Sequence, residues 1–167
     1  MPADYMIRIT EALSEKNNLD AVFSNVAQAF ENEVGYRLLT MSTISHEPEL
    51  TATRVWSSRP DIFPVGGKKS IDNEEWIDTV LRNRRTLVCE TPEALQRMFY
   101  DHSDIADAEC GSGINVPFIL DGEVIGVLNM FHEESWFDEQ RVEDARAVLA
   151  LAYTPIVLAR TNSMQPY

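Results

Sequence analysis

The stretch that decides the fold is CGSGINVPFILDGEVIGVLNM, residues 110–130. It contains two apolar runs on either side of Asp121-Gly122, and an Asp-Gly pair in this position is a strong signal for a β-hairpin. Neither run alternates cleanly between apolar and polar residues. We therefore expect both faces of these two strands to be covered by other parts of the chain.

The register of this hairpin stays open at the level of sequence. A two-residue loop would pair Ile114 with Asn129, whereas a three-residue loop would pair Gly113 with Asn129. The difference decides whether Asn115 or Ile114 shares a face with Asn129. An amide inside a sheet must find a hydrogen-bond partner, so this choice bears on any site nearby.

Outward from the hairpin, the pattern predicts an α+β fold with a central antiparallel sheet, since strands and helices do not alternate regularly. The terminal helices should cover one face of the sheet, and the middle segment from about Pro60 to Gly113 the other. Predicted strands are Tyr36–Ser45, Leu50–Ser57 and Thr86–Cys89, and Asp101–Gly113 is predicted to be a loop. The first two predicted helices are Tyr5–Leu13 and one that follows Asn18 and is stopped by Gly35. The others are one from an Asp72/Glu75 capping box to about Arg84, one starting at Thr91-Pro92-Glu93, and one starting at Phe137-Asp138 that Pro155 kinks or ends.

Length and composition indicate a single globular domain over residues 1–160, with residues 161–167 as a flexible tail. The formal net charge of −13 would repel nucleic acid and anionic membranes, so neither is expected as a partner. No apolar run approaches the roughly 18 residues that span a bilayer. The start, MPADYMIRIT, lacks the apolar core of a signal peptide, and we expect a cytoplasmic protein.

The second hairpin resembles that of the GAF domain family, which is related in shape to PAS domains. The match rests on Ser112, Val116-Pro117-Phe118, Gly122 and Val124-Ile125-Gly126-Val127-Leu128-Asn129, with residues 80–88 similar to the family's helix, basic turn and short strand. The resemblance covers roughly residues 6–160. It implies a central antiparallel sheet with a small-molecule pocket on the face opposite the terminal helices.

Several specialised branches of this family are disfavoured by their own motifs. The cyclic-nucleotide-binding members carry an Asn-Lys…Phe…Asp-Glu signature, but Met130 stands where the Lys belongs and Arg141-Val142 where Asp-Glu belongs. Bilin attachment has only a weak counterpart in Cys110 and His102. The histidines are scattered and suggest no haem ligand, so we expect neither a cofactor nor a metal.

The enzyme alternative is a divergent relative of the free methionine-(R)-sulfoxide reductases, which are often single GAF domains. By the same resemblance, Ala106 occupies the position of their nucleophilic cysteine, and Gly113, Asn129 and Phe131 those of their carboxylates. Cys110 and Cys89 are the two thiols that such an enzyme would have to use. Asp107 and Glu109 beside Cys110 would raise its pKa, so inert, reduced thiols are the simpler interpretation.

The candidate pocket wall consists of aromatic, apolar and amide side chains that suit a small planar or amphipathic ligand. Gly111-Ser112-Gly113 precedes a strand rather than a helix, so it is interpreted as a tight entry to that strand and not as a phosphate cradle. Five basic residues of the middle segment are candidates to gather at the pocket rim and attract an anion: Lys68, Lys69, Arg82, Arg84 and Arg85. For Arg84 and Arg85, at a predicted helix C-terminus, the alternative is a structural interaction with the helix dipole. The predicted ligand-binding residues are Trp56, Trp76, Met98, Phe99, Cys110, Asn115, Asn129 and Phe131.

The leading hypothesis is therefore a non-catalytic GAF-type sensory module that binds an unidentified small molecule and forms a homodimer through its terminal helices. A closed, filled core would leave the same residues without a ligand. In that third interpretation the chain acts as a protein-interaction domain through its helical surface.

Overall fold

The central element is a six-stranded sheet, seen in a computed structural model that describes residues 2–164. All neighbouring strands pair in antiparallel fashion. The strands are β1 (Leu38–Ser45), β2 (Thr51–Ser57), β3 (Lys68–Ser70), β4 (Leu87–Cys89), β5 (Ser112–Leu120) and β6 (Glu123–His132). Their order across the sheet is β3-β2-β1-β6-β5-β4, so the predicted hairpin β5–β6 lies in the interior of the sheet.

Seven α-helices within residues 2–164 surround the sheet, and the shortest of them continues as a π-helical segment. The helices are α1 (Pro2–Ser14), α2 (Leu19–Glu33), α3 (Glu74–Trp76), α4 (Pro92–Met98), α5 (His102–Asp107), α6 (Glu139–Val148) and α7 (Tyr153–Met164). A π-helical segment, Ile77–Arg82, extends α3, and a 3₁₀ segment, Leu149–Ala152, joins α6 to α7. None of the helices within the described residues is both long and apolar enough to cross a membrane.

Two apolar cores form, one on each face of the sheet. On the first face α2, α6 and α7 pack against the strands, and α1 packs on α2. Residues Phe23 and Phe30 of α2 are fully buried there, and burial of such a side chain stabilises the fold by about 1.5–3 kcal/mol. On the second face the middle segment packs through Trp76, Leu95 and Ile105. The predicted α+β architecture with both sheet faces covered is thus confirmed.

The β5–β6 hairpin has a register that neither sequence-based alternative contained. Its loop has the two residues Asp121-Gly122, both with positive φ, as a tight hairpin turn requires. A β-bulge then leaves Ile125 without a partner on β5. The extra residue shifts all later pairs, so Asn129 lies opposite Asn115 rather than opposite Ile114 or Gly113. Directly paired residues share a face, and the two amides therefore face the same side.

A second bulge, in β2, changes the face of Trp56. Arg54 pairs with Ser42, but Trp56 pairs with Met41, so Val55 is an extra residue. Without this bulge, Arg54 and Trp56 would lie on one face, because side chains alternate along a strand. With it, Arg54 faces the middle segment while Trp56 packs against the helical core.

The middle segment differs most from the predictions. Strand β3 was not predicted, and α5 lies within the predicted loop Asp101–Gly113. Asn73, rather than Asp72, caps the N-terminus of α3, with its Oδ1 accepting a hydrogen bond from the Trp76 amide at 3.0 Å. These elements have three to seven residues each, too few to produce a clear periodic pattern.

The C-terminal helix begins where predicted, with Asp138 Oδ1 accepting from the Arg141 amide at 2.9 Å. Pro155 lies in the first turn of α7, where its missing N–H costs no hydrogen bond. The α-helix that begins at Glu139 ends at Val148, and the 3₁₀ segment Leu149–Ala152 separates it from α7, which contains Pro155. Helix α7 continues to Met164, four residues past the expected boundary at residue 160; the remainder of the predicted tail, residues 165–167, lies outside the described residues.

Candidate functional site

A cavity of about 290 Å³ lies between the sheet and the middle segment. Its floor is formed by β1, β2 and β6, and its walls by the segment from β3 to α3 and by the residues around the end of α4. This is the face on which the pocket was expected. The polar and aromatic side chains that line it include Thr40, Ser42, Arg54, Phe63, Lys69, Asn73, Trp76, Phe99, Tyr100, Asp101, Asn129 and Phe131.

A chain of hydrogen bonds links the wall of the cavity to its floor. Trp76 Nε1 donates to Asn115 Oδ1 at 2.7 Å, Asn115 Nδ2 donates to Asn129 Oδ1 at 2.8 Å, and Asn129 Nδ2 donates to Thr40 Oγ1 at 3.1 Å. An indole N–H can only donate, so Trp76 fixes the orientation of both amides. The Thr40 hydroxyl accepts the last hydrogen bond of this chain, and Thr40 itself lines the cavity.

Aromatic rings supply the apolar part of the wall. Phe99 and Phe131 meet edge to face, with ring centroids 5.7 Å apart and an interplanar angle of 78°. Gly113 allows this placement of Phe131, because a Cβ at Gly113 would lie 2.5 Å from the Phe131 ring. An apolar wall with a few fixed polar groups is the usual make-up of a small-molecule site.

Three charged side chains lie together at one end of the cavity. Lys69 Nζ lies 3.6 Å from Asp101 Oδ1, and their side chains are 30% and 14% exposed. Lys69 also lies over the Tyr100 ring, at 4.5 Å from its centroid. Burial lowers the pKa of the Lys69 ammonium; Asp101 opposes this, whereas Arg54 lowers that pKa further. Burial likewise lowers the pKa of Arg54, against the opposing effect of Asp101.

Two buried polar atoms of this group make no hydrogen bond within the described residues. They are Arg54 Nε and Asp101 Oδ1. Arg54 Nη1 donates to the Pro64 carbonyl at 3.2 Å, so the guanidinium is only partly satisfied. Leaving a buried donor or acceptor without a partner costs about 1–3 kcal/mol, which is why such atoms often mark a place where something binds.

Of the predicted binding residues, Trp76, Met98, Phe99, Asn129 and Phe131 line the cavity. Asn115 is 1% exposed and lies behind them, in contact with the cavity only through its hydrogen bonds. The other two predicted residues, Trp56 and Cys110, are not among those that line the cavity. The bulge at Val55 turns Trp56 towards the helices, and Cys110 is buried in the second core outside the cavity lining.

The two cysteines are free and buried. Burial raises the pKa of both Cys89 and Cys110 to about 11, against the smaller opposing effects of Arg97 on Cys89 and of Arg37 and Arg59 on Cys110. A thiol with this pKa is almost wholly protonated at neutral pH and is a poor nucleophile. Neither sulfur belongs to a residue that lines the cavity.

The five predicted basic residues do not form a single cluster. Lys69 lines the cavity, whereas Arg84 and Arg85 border a second, open cleft between β5 and the α6–α7 junction, together with Arg146. Lys68 and Arg82 are exposed. Among residues 2–164, no group of three or more His, Cys, Asp or Glu side chains is placed to hold a metal ion.

Sequence reasoning missed the most polar part of the site, Arg54 and Asp101. Arg54 stands in an amphipathic strand, where a charged residue suggests the solvent side, and Asp101 stands in the predicted loop. The one usable signal was alternation in β2, since Ala52 and Arg54 are two residues apart and share a face. The sequence did not show whether this shared face of β2 points towards the helices or towards the middle segment.

Comparisons with known proteins agree with this architecture. A family model described as GAF domain matches residues 16–152. The GAF domain of a two-component sensor histidine kinase from Bacillus halodurans is 13% identical, covers 87% of this chain and 98% of its own, and has a TM-score of 0.69. The GAF domain of a phosphoenolpyruvate-protein phosphotransferase from Coxiella burnetii is 14% identical, covers 98% and 96%, and has a TM-score of 0.69.

A segment of a methyl-accepting chemotaxis protein is 17% identical, covers 92% of this chain and 96% of its own, and has a TM-score of 0.66. At such identities these structures show a shared fold and nothing finer. A search of curated protein sequences gave no significant match. The family model spans most of the chain, and the chain is a member of the GAF domain family.

Proposed function

We propose that this chain is a non-catalytic sensory module that binds a small molecule in the cavity between the sheet and the middle segment. GAF domains are a family of sensory and ligand-binding modules, and membership supports the general class. The observation that carries the specific proposal is the cavity of about 290 Å³ with Arg54 in its lining, whose buried Nε makes no hydrogen bond within the described residues.

The contacts favour binding over the alternative of a filled core. A core that is closed by its own side chains reaches crystal-like packing density and leaves few voids larger than a water molecule. Here the space is far larger than a water and is bordered by Asn129, Thr40 and Ser42 hydrogen-bonding groups rather than by apolar atoms alone. A polar, roomy site of this kind favours an occupant.

The thiol-enzyme alternative gains no support from the site. Both cysteines are protonated at neutral pH, as their raised pKa values indicate, and both lie outside the cavity lining. A substrate in the cavity would therefore meet no activated sulfur.

The test is a thermal-shift screen of the full chain against a metabolite library, repeated on Ala52→Phe. Ala52 lines the cavity, so the larger ring should fill it. At a concentration of 100 Kd a ligand adds about 2.7 kcal/mol of stability. We expect this to raise Tm by about 5–10 °C in a domain of this size.

The matched control is Thr53→Phe, the neighbouring position in β2, whose side chain faces the opposite side of the sheet. The ligand-induced rise in Tm should vanish in Ala52→Phe and persist in Thr53→Phe. The proposal fails if no compound raises Tm, or if Ala52→Phe retains the full rise.

The exposed side of the terminal helices supports a second proposal, a homodimer. Met6 and Ile7 of α1 are 50% and 56% exposed, and Leu158 of α7 is 42% exposed. Apolar side chains of this size at adjacent positions are an unfavourable surface for a monomer. A twofold contact would bury the same patch on both copies.

A further inference from the structure

We propose that the ligand of the cavity is a small monoanionic carboxylate with an apolar body, its carboxylate held by Arg54, Lys69 and the Ser42 hydroxyl. This inference rests on the proposed function and specifies the ligand class for the same site. The chemistry is carried by side chains of β1, β2 and β3, one from each strand.

The strand register brings these three side chains to one face. Ser42 of β1 lies directly opposite Arg54 of β2, and Ala52 of β2 lies directly opposite Lys69 of β3. Ala52 and Arg54 share a face because they are two residues apart, so Lys69 is a diagonal neighbour of Arg54. All four line the cavity.

Among residues 2–164, Arg54 is the cation at this end of the cavity that lacks an ion-pair partner. Lys69 has Asp101 as its ion-pair partner at 3.6 Å, but Arg54 forms no ion pair within the described residues, and the two cations repel each other. Neighbouring like charges on a sheet face are unfavourable unless an anion offsets them. One further negative charge between Arg54 and Lys69 would do so.

The remaining charged residues of the lining form no ion pair with Arg54 within the described residues. Asp72 and Arg97 also line the cavity, and Arg97 is engaged by Glu75 at 3.2 Å. Asp72 and Asp101 both favour the charged form of Lys69, so Lys69 has carboxylates to offset its charge. One guanidinium without an ion pair matches a monoanion better than a dianion.

Hydrogen bonding supports the same ligand. Within the described residues, Arg54 Nη1 donates to the Pro64 carbonyl and Arg54 Nε makes no hydrogen bond. Guanidinium groups bind carboxylates through paired N–H donors in a planar fork. The Ser42 hydroxyl, directly opposite Arg54, adds a neutral donor.

The far end of the cavity determines the chemical character of the rest of the ligand. Leu38 and Phe131 lie directly opposite each other, four residues along β1 from Ser42, and offer only apolar contact. The volume of about 290 Å³ lies at the lower end of the range for ligand pockets. A short alkyl or aryl group joined to the carboxylate fits this space.

The experiment is isothermal titration of the full chain at pH 7 with four probes of equal chain length: hexanoate, 1-hexanol, hexylammonium and hexyl phosphate. Hexanoate should bind at least tenfold more tightly than 1-hexanol and hexylammonium, and more tightly than hexyl phosphate. Arg54→Gln and Lys69→Gln should each weaken hexanoate binding at least tenfold while leaving 1-hexanol binding unchanged, which also shows that the cavity is still folded.

Arg59→Gln is the matched control, because Arg59 is an exposed arginine that pairs with Asp61 at 2.9 Å and does not line the cavity. Its hexanoate affinity should equal that of the unchanged chain. Equal or tighter binding of 1-hexanol overturns the anion proposal but leaves small-molecule binding intact. Tighter binding of hexyl phosphate overturns the carboxylate, as does an unchanged affinity in Arg54→Gln.

Failure of all four probes at millimolar concentration also overturns the carboxylate proposal. The wider metabolite screen then decides the proposed function separately. A compound whose thermal shift disappears in Ala52→Phe would keep that function standing.

Discussion

Asn115 shows how much one buried side chain can organise. Its oxygen satisfies the Trp76 indole and its nitrogen donates to both the Asn129 side chain and the Ile114 carbonyl. Asn115 thereby connects the cavity wall to the sheet by hydrogen bonds, although Asn115 itself does not line the cavity. Sequence reasoning identified Asn115 as important because a buried amide needs partners, but the identity of those partners depended on the register.

Replacing Asn115 with leucine should destabilise the fold by about 2–4 kcal/mol, because the Trp76 N–H and the Asn129 oxygen both lose their buried partner. Urea unfolding followed by circular dichroism measures this change. Asn162→Leu on the exposed surface of α7 is the control and should change stability by less than about 0.5 kcal/mol. Equal effects of the two substitutions would contradict the role given to Asn115.

At the scale of elements, the predictions that succeeded concern segments with strong local signals. The β5–β6 hairpin has its Asp-Gly loop, and α2 has apolar residues at helical spacing. Strand β3 has three residues, Lys68–Ser70, and exists only because β2 offers an edge to pair with. A strand formed by such non-local pairing leaves no periodic trace in the sequence.

The two bulges explain most of what the sequence could not predict about the site. Val55 moves Trp56 away from the cavity, and Ile125 brings Asn129 opposite Asn115. A bulge inserts one residue and reverses the side to which all later side chains of the strand point. In β6 alternation cannot reveal it, because residues 124–128 contain no polar side chain.

Gly126→Ala tests the bulge in β6. An added Cβ would lie 2.7 Å from the Ser42 carbonyl oxygen of the neighbouring strand, a backbone atom that cannot move independently. We expect a loss of about 1–3 kcal/mol in the free energy of unfolding, measured by urea denaturation.

The comparison variant is Gly67→Ala, where the nearest atom is the end of the flexible Arg54 side chain at 3.2 Å. This variant should cost clearly less stability. If Gly126→Ala is as stable as the unchanged chain, the close approach of β6 to β1 at this bulge is not as described.

At the scale of the whole molecule, the sheet separates two tasks. One face carries the helical core and the exposed apolar side chains of α1 and α7, and the other carries the cavity. The family resemblance anticipated this division, since it placed the pocket opposite the terminal helices. The resemblance did not predict the charged group of Arg54, Lys69 and Asp101, because the family motifs lie in the β5–β6 hairpin and do not include residues of β2 and β3.

The proposed homodimer predicts that the chain sediments as a dimer at micromolar concentration. Met6→Lys combined with Ile7→Lys should shift it to a monomer, because two buried charges in each half of a twofold contact cannot find partners. Val65→Lys is the control: Val65 is 55% exposed in the loop between β2 and β3, outside the terminal helices. Sedimentation velocity measures all three. A monomeric unchanged chain would refute the dimer.

The placement of Trp76 gives the molecule an optical probe at its cavity. The sequence has three tryptophans, and only Trp76 lines the cavity; Trp56 packs on the helical side, and Trp136 stacks on His132 at 3.7 Å. Exchanging the other two for phenylalanine would leave a single indole whose emission wavelength follows the polarity of the cavity. Ligand entry would then be measured as a shift in emission wavelength, with no label attached.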